Sequence, residues 1–299
     1  MEQKNLVAAG VTKKYKNVEV LHPTDITIEP GKIYGLIGRN GAGKTTLLSL
    51  LTGQNPQTTG TVTYAGQKVW ENEDALGEIC FARELNAMLM FGPNSFKGKH
   101  YLEMAACYYP NWDKAYAQRL IADFELDTKK KISKLSKGMM SMLTIVLALA
   151  SRAPITILDE PVAGLDVAMR DRFYRLLLDD YQKTGRTFVV STHIIEEASS
   201  VFEEIILLDK GNLVEKLNTD EYVSQFHYIS GKDDVVDQAT SGLKVLHSEG
   251  LGRQKTVCVR AQKQNVLAAA AGLDVELAPV PLQKIFVYVT GGEKEENLA

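Results

Sequence analysis

One stretch constrains this chain more than any other: residues 38–46, GRNGAGKTT. It holds Gly38-x4-Gly43-Lys44-Thr45, a phosphate-binding loop pattern. The apolar run Ile33-Tyr34-Gly35-Leu36-Ile37 before it reads as a buried strand, and Thr46-Leu47-Leu48-Ser49-Leu50-Leu51 after it reads as the start of a helix. That strand–loop–helix context is what gives the pattern its meaning. Glycines let the backbone approach a phosphate without a Cβ in the way, and the loop amides and helix N-terminus present partial positive charge to it. Lys44 is expected to reach the β- and γ-phosphates, and the Thr45 hydroxyl to bind Mg²⁺.

A loop of this kind needs a sheet behind it, and the chain supplies one. Residues 155–158, 187–191 and 205–208 are short apolar runs, separated by helical patterns over residues 167–181 and 194–202. Strands alternating with helices imply a parallel sheet. Residues 6–11, 18–28 and 60–69 read instead as antiparallel arms. The turns fall at residues 13–17, Pro30-Gly31 and Ala65-Gly66. From residue 95, with Ser95 as an N-cap, a helical signal runs to about Leu126 and is interrupted at Pro110. The aromatic group Tyr108, Tyr109, Trp112 and Tyr116 is open to two readings, core or a face for a partner. Beyond residue 226 no further nucleotide motif occurs. Residues 255–262 read as a strand, 265–271 as a helix stopped by Gly272, and 281–289 as a last helix.

The fold expected is therefore α/β. It has a P-loop core, an antiparallel β subdomain, a helical subdomain at about residues 95–152 and a small α+β appendage. The domains are expected at residues 1–227 and 228–299.

Composition narrows the setting. With 34 basic and 37 acidic residues, the net charge of −3 argues against a general attraction to nucleic acid or membrane surfaces. The three cysteines, Cys80, Cys107 and Cys258, are widely spaced and form no CxxC, which fits a reducing cytosol. Residues 139–150 are the longest apolar run, but twelve residues cannot span a bilayer. Any membrane crossing is then expected from another chain.

A second motif completes the chemistry. Ile155-Thr156-Ile157-Leu158 ends in Asp159-Glu160, which places two carboxylates at a sheet edge near the phosphates. Asp159 is expected to hold Mg²⁺ and Glu160 to polarise the attacking water. A third is Leu135-Ser136-Lys137-Gly138-Met139, where Ser136 is an N-cap candidate for the apolar helix behind it. By itself a Ser-x-Gly helix start is common.

Phosphate loop, helical insert, LSKGM, ILDEP, AGLD and a strand followed by His193, in that order, resemble the nucleotide-binding subunit of an ABC transporter over residues 1 to about 226. The resemblance implies a nucleotide-binding set of Gly38, Asn40, Gly41, Ala42, Gly43, Lys44, Thr45 and Thr46. It implies that Tyr15 stacks on adenine and that Asp159 and Glu160 are the Walker B aspartate and catalytic glutamate. His193 matches the switch histidine at the γ-phosphate. Ser136 and Gly138 of the signature motif reach the ATP held by another protomer, and Asp166 lies in the loop where protomers meet. ATP and Mg²⁺ are the cofactors implied. The partners implied are integral membrane transporter subunits at the cytoplasmic face and a second ATP-binding subunit, identical or a paralogue. No nucleic acid is expected.

Two departures stand out. The signature has Lys137 where the family usually has glycine. In the Q-loop, Ile79-Cys80-Phe81-Ala82-Arg83-Glu84 places Glu84 where a glutamine normally contacts Mg²⁺. Glu84 is thus a third metal candidate beside Thr45 and Asp159. LSKGM, YYPNWD and ICFARE are similar to bacterial exporter ATPases of the bacitracin-resistance and Ytr-like group, with related subunits in phenol-soluble-modulin exporters. The rival readings are an importer ATPase, a soluble ABC ATPase acting on ribosomes or nucleic acid, and a P-loop small-molecule kinase.

Overall fold

The structure is a computed structural model and describes residues 4–85 and 96–291. Ser95, expected as an N-cap, lies outside the described residues. The chain forms two compact units, residues 1–216 and 217–299.

In the first unit, β1 (Leu6–Tyr15) and β2 (Val18–Ile28) form an antiparallel hairpin. β1 runs on through Lys13 to Tyr15, so the turn expected at residues 13–17 shrinks to Lys16-Asn17. β3 (Ile33–Ile37) leads into the phosphate loop and α1 (Lys44–Leu51). β4 (Thr59–Tyr64) and β5 (Gln67–Lys68) complete an antiparallel sheet of order β2-β1-β4-β5. α2 (Glu73–Gly77), capped by the Asn72 side chain, precedes β6 (Ile79–Arg83). The helical insert is α3 (Gly98–Tyr108) and α4 (Lys114–Asp123), separated at Pro110. Its aromatic group divides: Tyr116 is buried in the core while Tyr108 is 59% exposed.

Then come α5 (Lys137–Ala150), β7 (Ile155–Asp159), α6 (Val167–Thr184), β8 (Thr187–Thr192), α7 (Ile195–Ala198), β9 (Glu204–Asp209) and β10 (Asn212–Asn218). The second sheet has the order β10-β9-β3-β8-β7-β6, with parallel pairing from β9 across to β6. Every residue of β3, β7 and β8 is buried, as expected of strands covered on both faces. The core joins both sheets through α1, with Leu47, Leu48, Leu50 and Leu51 packed among Leu6, Ile28, Leu36 and Ile157.

Charge is also buried here. Asp180 of α6, 1% exposed, accepts hydrogen bonds from Arg152 Nη1 at 2.9 Å and Arg186 Nε at 3.1 Å. Arg186 also donates to the Leu149 and Ala153 carbonyls, so it caps the end of α5. Burial pushes the Arg186 guanidinium pKa down, and the Asp180 charge opposes that shift.

The second unit contains α8 (Thr219–Val223), β11 (Phe226–Lys232), α9 (Asp233–Ala239), β12 (Lys244–Leu251), β13 (Gln254–Arg260), α10 (Lys263–Ala270), β14 (Val275–Pro279) and α11 (Leu282–Thr290). Its sheet has the order β12-β13-β11-β14, with antiparallel neighbours. From β11 to β14 the order is β-α-β-β-α-β, a split βαβ arrangement. Ile229, Val257 and Val259 pack with Val236 of α9 and Val266 of α10. Tyr228 points the other way, and its hydroxyl meets that of Tyr288 on α11 at 3.0 Å.

Candidate active site

The site grows from the ends of three neighbouring parallel strands, β3, β7 and β8. In an open parallel sheet, ligands bind beyond the carboxyl ends of the strands. β3 delivers the phosphate loop. Gly43 has φ +101°, and a Cβ there would stand 3.2 Å from the Val20 carbonyl. A side chain at this position would be strained in backbone and crowded in space. Arg39, Asn40, Gly41, Gly43, Lys44, Thr45 and Thr46 line one cleft of 230 Å³, together with Val20 and Glu160. The Lys44 side chain is 6% exposed, and its Nζ donates to the Gly38 carbonyl at 2.7 Å. The Ala42 carbonyl accepts from Gly211 N in the β9–β10 turn at 3.0 Å, which pins the loop from behind.

β7 delivers the acids. Asp159 Oδ2 accepts the Thr45 hydroxyl at 2.6 Å. The next residue, Glu160, has φ +50°, a strained conformation for a non-glycine residue that turns its carboxylate back toward the loop. There Glu160 pairs with Lys44 Nζ at 3.2 Å through Oε1 and with His193 Nδ1 at 2.7 Å through Oε2.

β8 delivers His193 and a residue that the sequence did not single out. Ser191 stands opposite Asp159 in the β7–β8 register and is fully buried. Its hydroxyl donates to Asp159 Oδ1 at 2.5 Å and accepts the Glu160 N–H at 2.9 Å. One hydroxyl thus fixes the aspartate and satisfies the strained amide beside it. The signal was there only as a pair: two short apolar runs, one leading into Asp159 and the other into Ser191.

The donors suit the implied cofactors. Thr45 Oγ1 and Asp159 Oδ2 lie 2.6 Å apart, two oxygens that would suit Mg²⁺, an ion that proteins hold through few side chains while phosphate and water complete the shell. The glycine-rich turn, the start of α1 and a buried lysine are what a polyphosphate needs.

The remaining expected residues gather elsewhere. Ser136 caps α5 by accepting Met139 N at 3.2 Å, and Asp166 caps α6 by accepting Met169 N at 2.9 Å. A Cβ on Gly138 would stand 2.7 Å from the Gly164 carbonyl, so only glycine lets these two turns touch. The Ser141 hydroxyl donates to the Ala163 carbonyl at 2.6 Å and fastens them together. Lys137 and Glu84 form an ion pair at 3.1 Å, with both side chains about half exposed. The carboxylate considered for metal is therefore engaged with the signature lysine. None of Glu84, Ser136, Gly138 and Asp166 lines the 230 Å³ cleft. Tyr15 stands at the end of β1, 44% exposed, with the Lys13 ammonium 4.9 Å from its ring centre.

Comparison with known proteins agrees with this geometry. Residues 21–163 match the family model described as ABC transporter. The chain is 25% identical over 288 residues to the ABC transporter ATP-binding protein YtrB of Bacillus subtilis, covering 95% of this chain and 97% of that one. It is 29% identical over 304 residues to the Nod factor export ATP-binding protein I of Mesorhizobium japonicum, covering 96% and 87%. It is 32% identical over 217 residues to the ribose import ATP-binding protein RbsA of Shouchella clausii, covering 68% of this chain and 42% of that one. A solved ATP-binding subunit of an ABC transporter superposes with a TM-score of 0.62 at 24% identity, covering 72% of this chain and 90% of that one. With the phosphate loop, the Asp159–Glu160 pair and His193 assembled at one sheet edge, the chain carries the ATP-binding domain of the ABC transporter ATPases, matched over residues 21–163.

Proposed function

We propose that the chain is the ATP-hydrolysing motor subunit of an ABC transporter, and that the transporter is an exporter. The observation that carries this reading is the Glu160 carboxylate, held between Lys44 at 3.2 Å and His193 at 2.7 Å. Both partners are groups that would meet a γ-phosphate. ATP entering the cleft takes over Lys44 and His193 and leaves Glu160 facing water. Glu160 then accepts a proton from that water as its oxygen bonds to the γ-phosphorus. The bond from phosphorus to the β-phosphate oxygen breaks, giving ADP and phosphate. Thr45 and Asp159 would hold Mg²⁺, which when bound supplies charge neutralisation at the phosphates. Tyr15 stacks on adenine from the end of β1.

The grouping of Ser136, Gly138 and Asp166 away from the cleft supports a shared site. A second ATP-binding subunit, the same chain or a paralogue, would bring its signature turn to the nucleotide held here. Transport itself belongs to integral membrane subunits, with this chain at the cytoplasmic face. No helix among the described residues is long and apolar enough to cross a membrane. Export is favoured over import by coverage: this chain spans 87% of the export relative but 42% of the import relative. Action on nucleic acid is disfavoured by the net charge of −3.

The test is purification of the tagged chain from its own membranes in mild detergent. A multi-span membrane protein in stoichiometric amount supports the motor reading, and a second ATPase beside it identifies a heterodimer. Recovery with ribosomes or nucleic acid alone contradicts it. ATP-driven uptake into inside-out vesicles separates export from import.

A further inference from the structure

We propose that the second unit carries a binding site for a small aliphatic anion, a hydrocarbon chain ending in a carboxylate. A cleft of 430 Å³ opens between α10, β14 and the start of β11. That volume lies within the range of about 300–1,000 Å³ found for small-molecule sites. The β11–β14 register pairs His227 with Pro279 and Ile229 with Leu277. These four residues therefore share one face of the sheet, the face on which Ile229 packs against Val266 of α10. Leu277 and Leu267 remain 36% and 52% exposed at the cleft, although both are large apolar side chains. Apolar surface left in water beside a concave wall is what a hydrocarbon chain would cover.

The polar groups at the cleft are Ser224, His227 and Lys263, with no carboxylate among the described lining residues. Burial and then the nearby Lys263 charge hold the His227 pKa below its ordinary value, with the Ser224 and Ala261 backbone acting the other way. His227 Nε2 is buried without a hydrogen-bond partner. Lys263 is also the first residue of α10, an eight-residue helix whose N-terminus has no side-chain cap. Lys263 and an open helix N-terminus thus meet at one apolar cleft. A carboxylate would answer both. A peptide strand fits poorly, because the edge strand β14 ends in Pro279, which has no N–H to donate. A nucleotide fits poorly too, because the walls offer no glycine turn for phosphates.

The test titrates the full-length, nucleotide-free chain with dodecanoate below its micellar concentration, followed by calorimetry. Saturable one-to-one binding is expected, with dodecan-1-ol and dodecyltrimethylammonium at least about tenfold weaker. Lys263→Gln is expected to weaken dodecanoate by about tenfold and leave dodecan-1-ol unchanged. Leu267→Asp, at an exposed position, is expected to abolish binding of both, and Lys244→Gln on β12 to change neither. Equal binding of dodecanoate and dodecan-1-ol, full affinity in Lys263→Gln, or no saturable binding would each overturn the proposal. None of these readouts depends on ATP turnover, so the ATPase reading stands or falls separately.

Discussion

The two units handle buried polarity in opposite ways. The first buries Lys44, Asp159, Asp180, Arg186 and Ser191, and each has a partner of matching charge or hydrogen-bonding character. The second packs its core from Ile229, Val236, Ala239, Val257, Val259 and Val266, with no charged side chain among them. Charge held out of water is strongly destabilising unless it is partnered, and it reacts or binds far more strongly there than in solvent. A unit that cleaves a phosphoanhydride needs such groups. A unit that only holds its shape or cradles an aliphatic chain does not.

That contrast can be attacked from its strongest point. Asp180→Ala should destabilise the first unit by about 3–5 kcal/mol, because the buried Arg186 loses its counter-charge and the partly buried Arg152 keeps only Asp113. Both tryptophans, Trp70 and Trp112, lie in the first unit, so their fluorescence reports its unfolding alone. An unchanged denaturation midpoint would mean that this network contributes nothing to stability.

Ser191→Ala comes next. Losing the hydroxyl that steadies Asp159 and the Glu160 amide should lower turnover about 10–100-fold, as loss of a residue supporting a metal ligand typically does. ATP affinity without Mg²⁺ should hold, and Ser191→Thr should restore part of the loss. Equal loss of Mg²⁺-free ATP binding would make Ser191 a packing residue only.

In the second unit, Ile229→Val should cost about 0.5–1.5 kcal/mol. It should speed labelling of the buried Cys258 thiol while leaving ATP turnover as it was. A fall in turnover would show that the accessory core reaches the active site. The smallest effect should come from the half-exposed Glu84–Lys137 pair, whose coupling in a double-mutant cycle should not exceed about 1 kcal/mol. If Glu84 also serves the metal, Glu84→Gln shifts the Mg²⁺ and pH dependence of turnover. An unchanged profile confines Glu84 to its ion pair with Lys137.

Legibility in the sequence divides along the same line. The phosphate loop, Asp159 and Glu160 were readable because their chemistry fixes residue type and spacing together, whereas His193 was reached only through the family resemblance. Ser191 was not, since a serine at a strand end has no meaning until the register sets it opposite Asp159. The helix expected over residues 194–202 is confined to Ile195–Ala198. Phe202 lies instead across β3, where a Cβ on Gly35 would stand 2.1 Å from its ring. That long-range packing ends the helix early and explains a glycine inside a buried strand. In the second unit β11, α9, β12 and β14 went unread. β12 is exposed or half-exposed along its whole length and shows no clean alternation, and α9 has only seven residues over which to show a period.

The most direct test of the account uses Glu160→Gln beside the unaltered protein, each mixed with Mg-ATP and followed by light scattering and phosphate release. Both are expected to bind ATP, only the unaltered protein to release phosphate at an appreciable rate, and Glu160→Gln to accumulate at twice the monomer mass. Phosphate release by Glu160→Gln at the unaltered rate would contradict the role given to that carboxylate. A variant that holds ATP yet stays monomeric would contradict a site completed by a second copy of this chain.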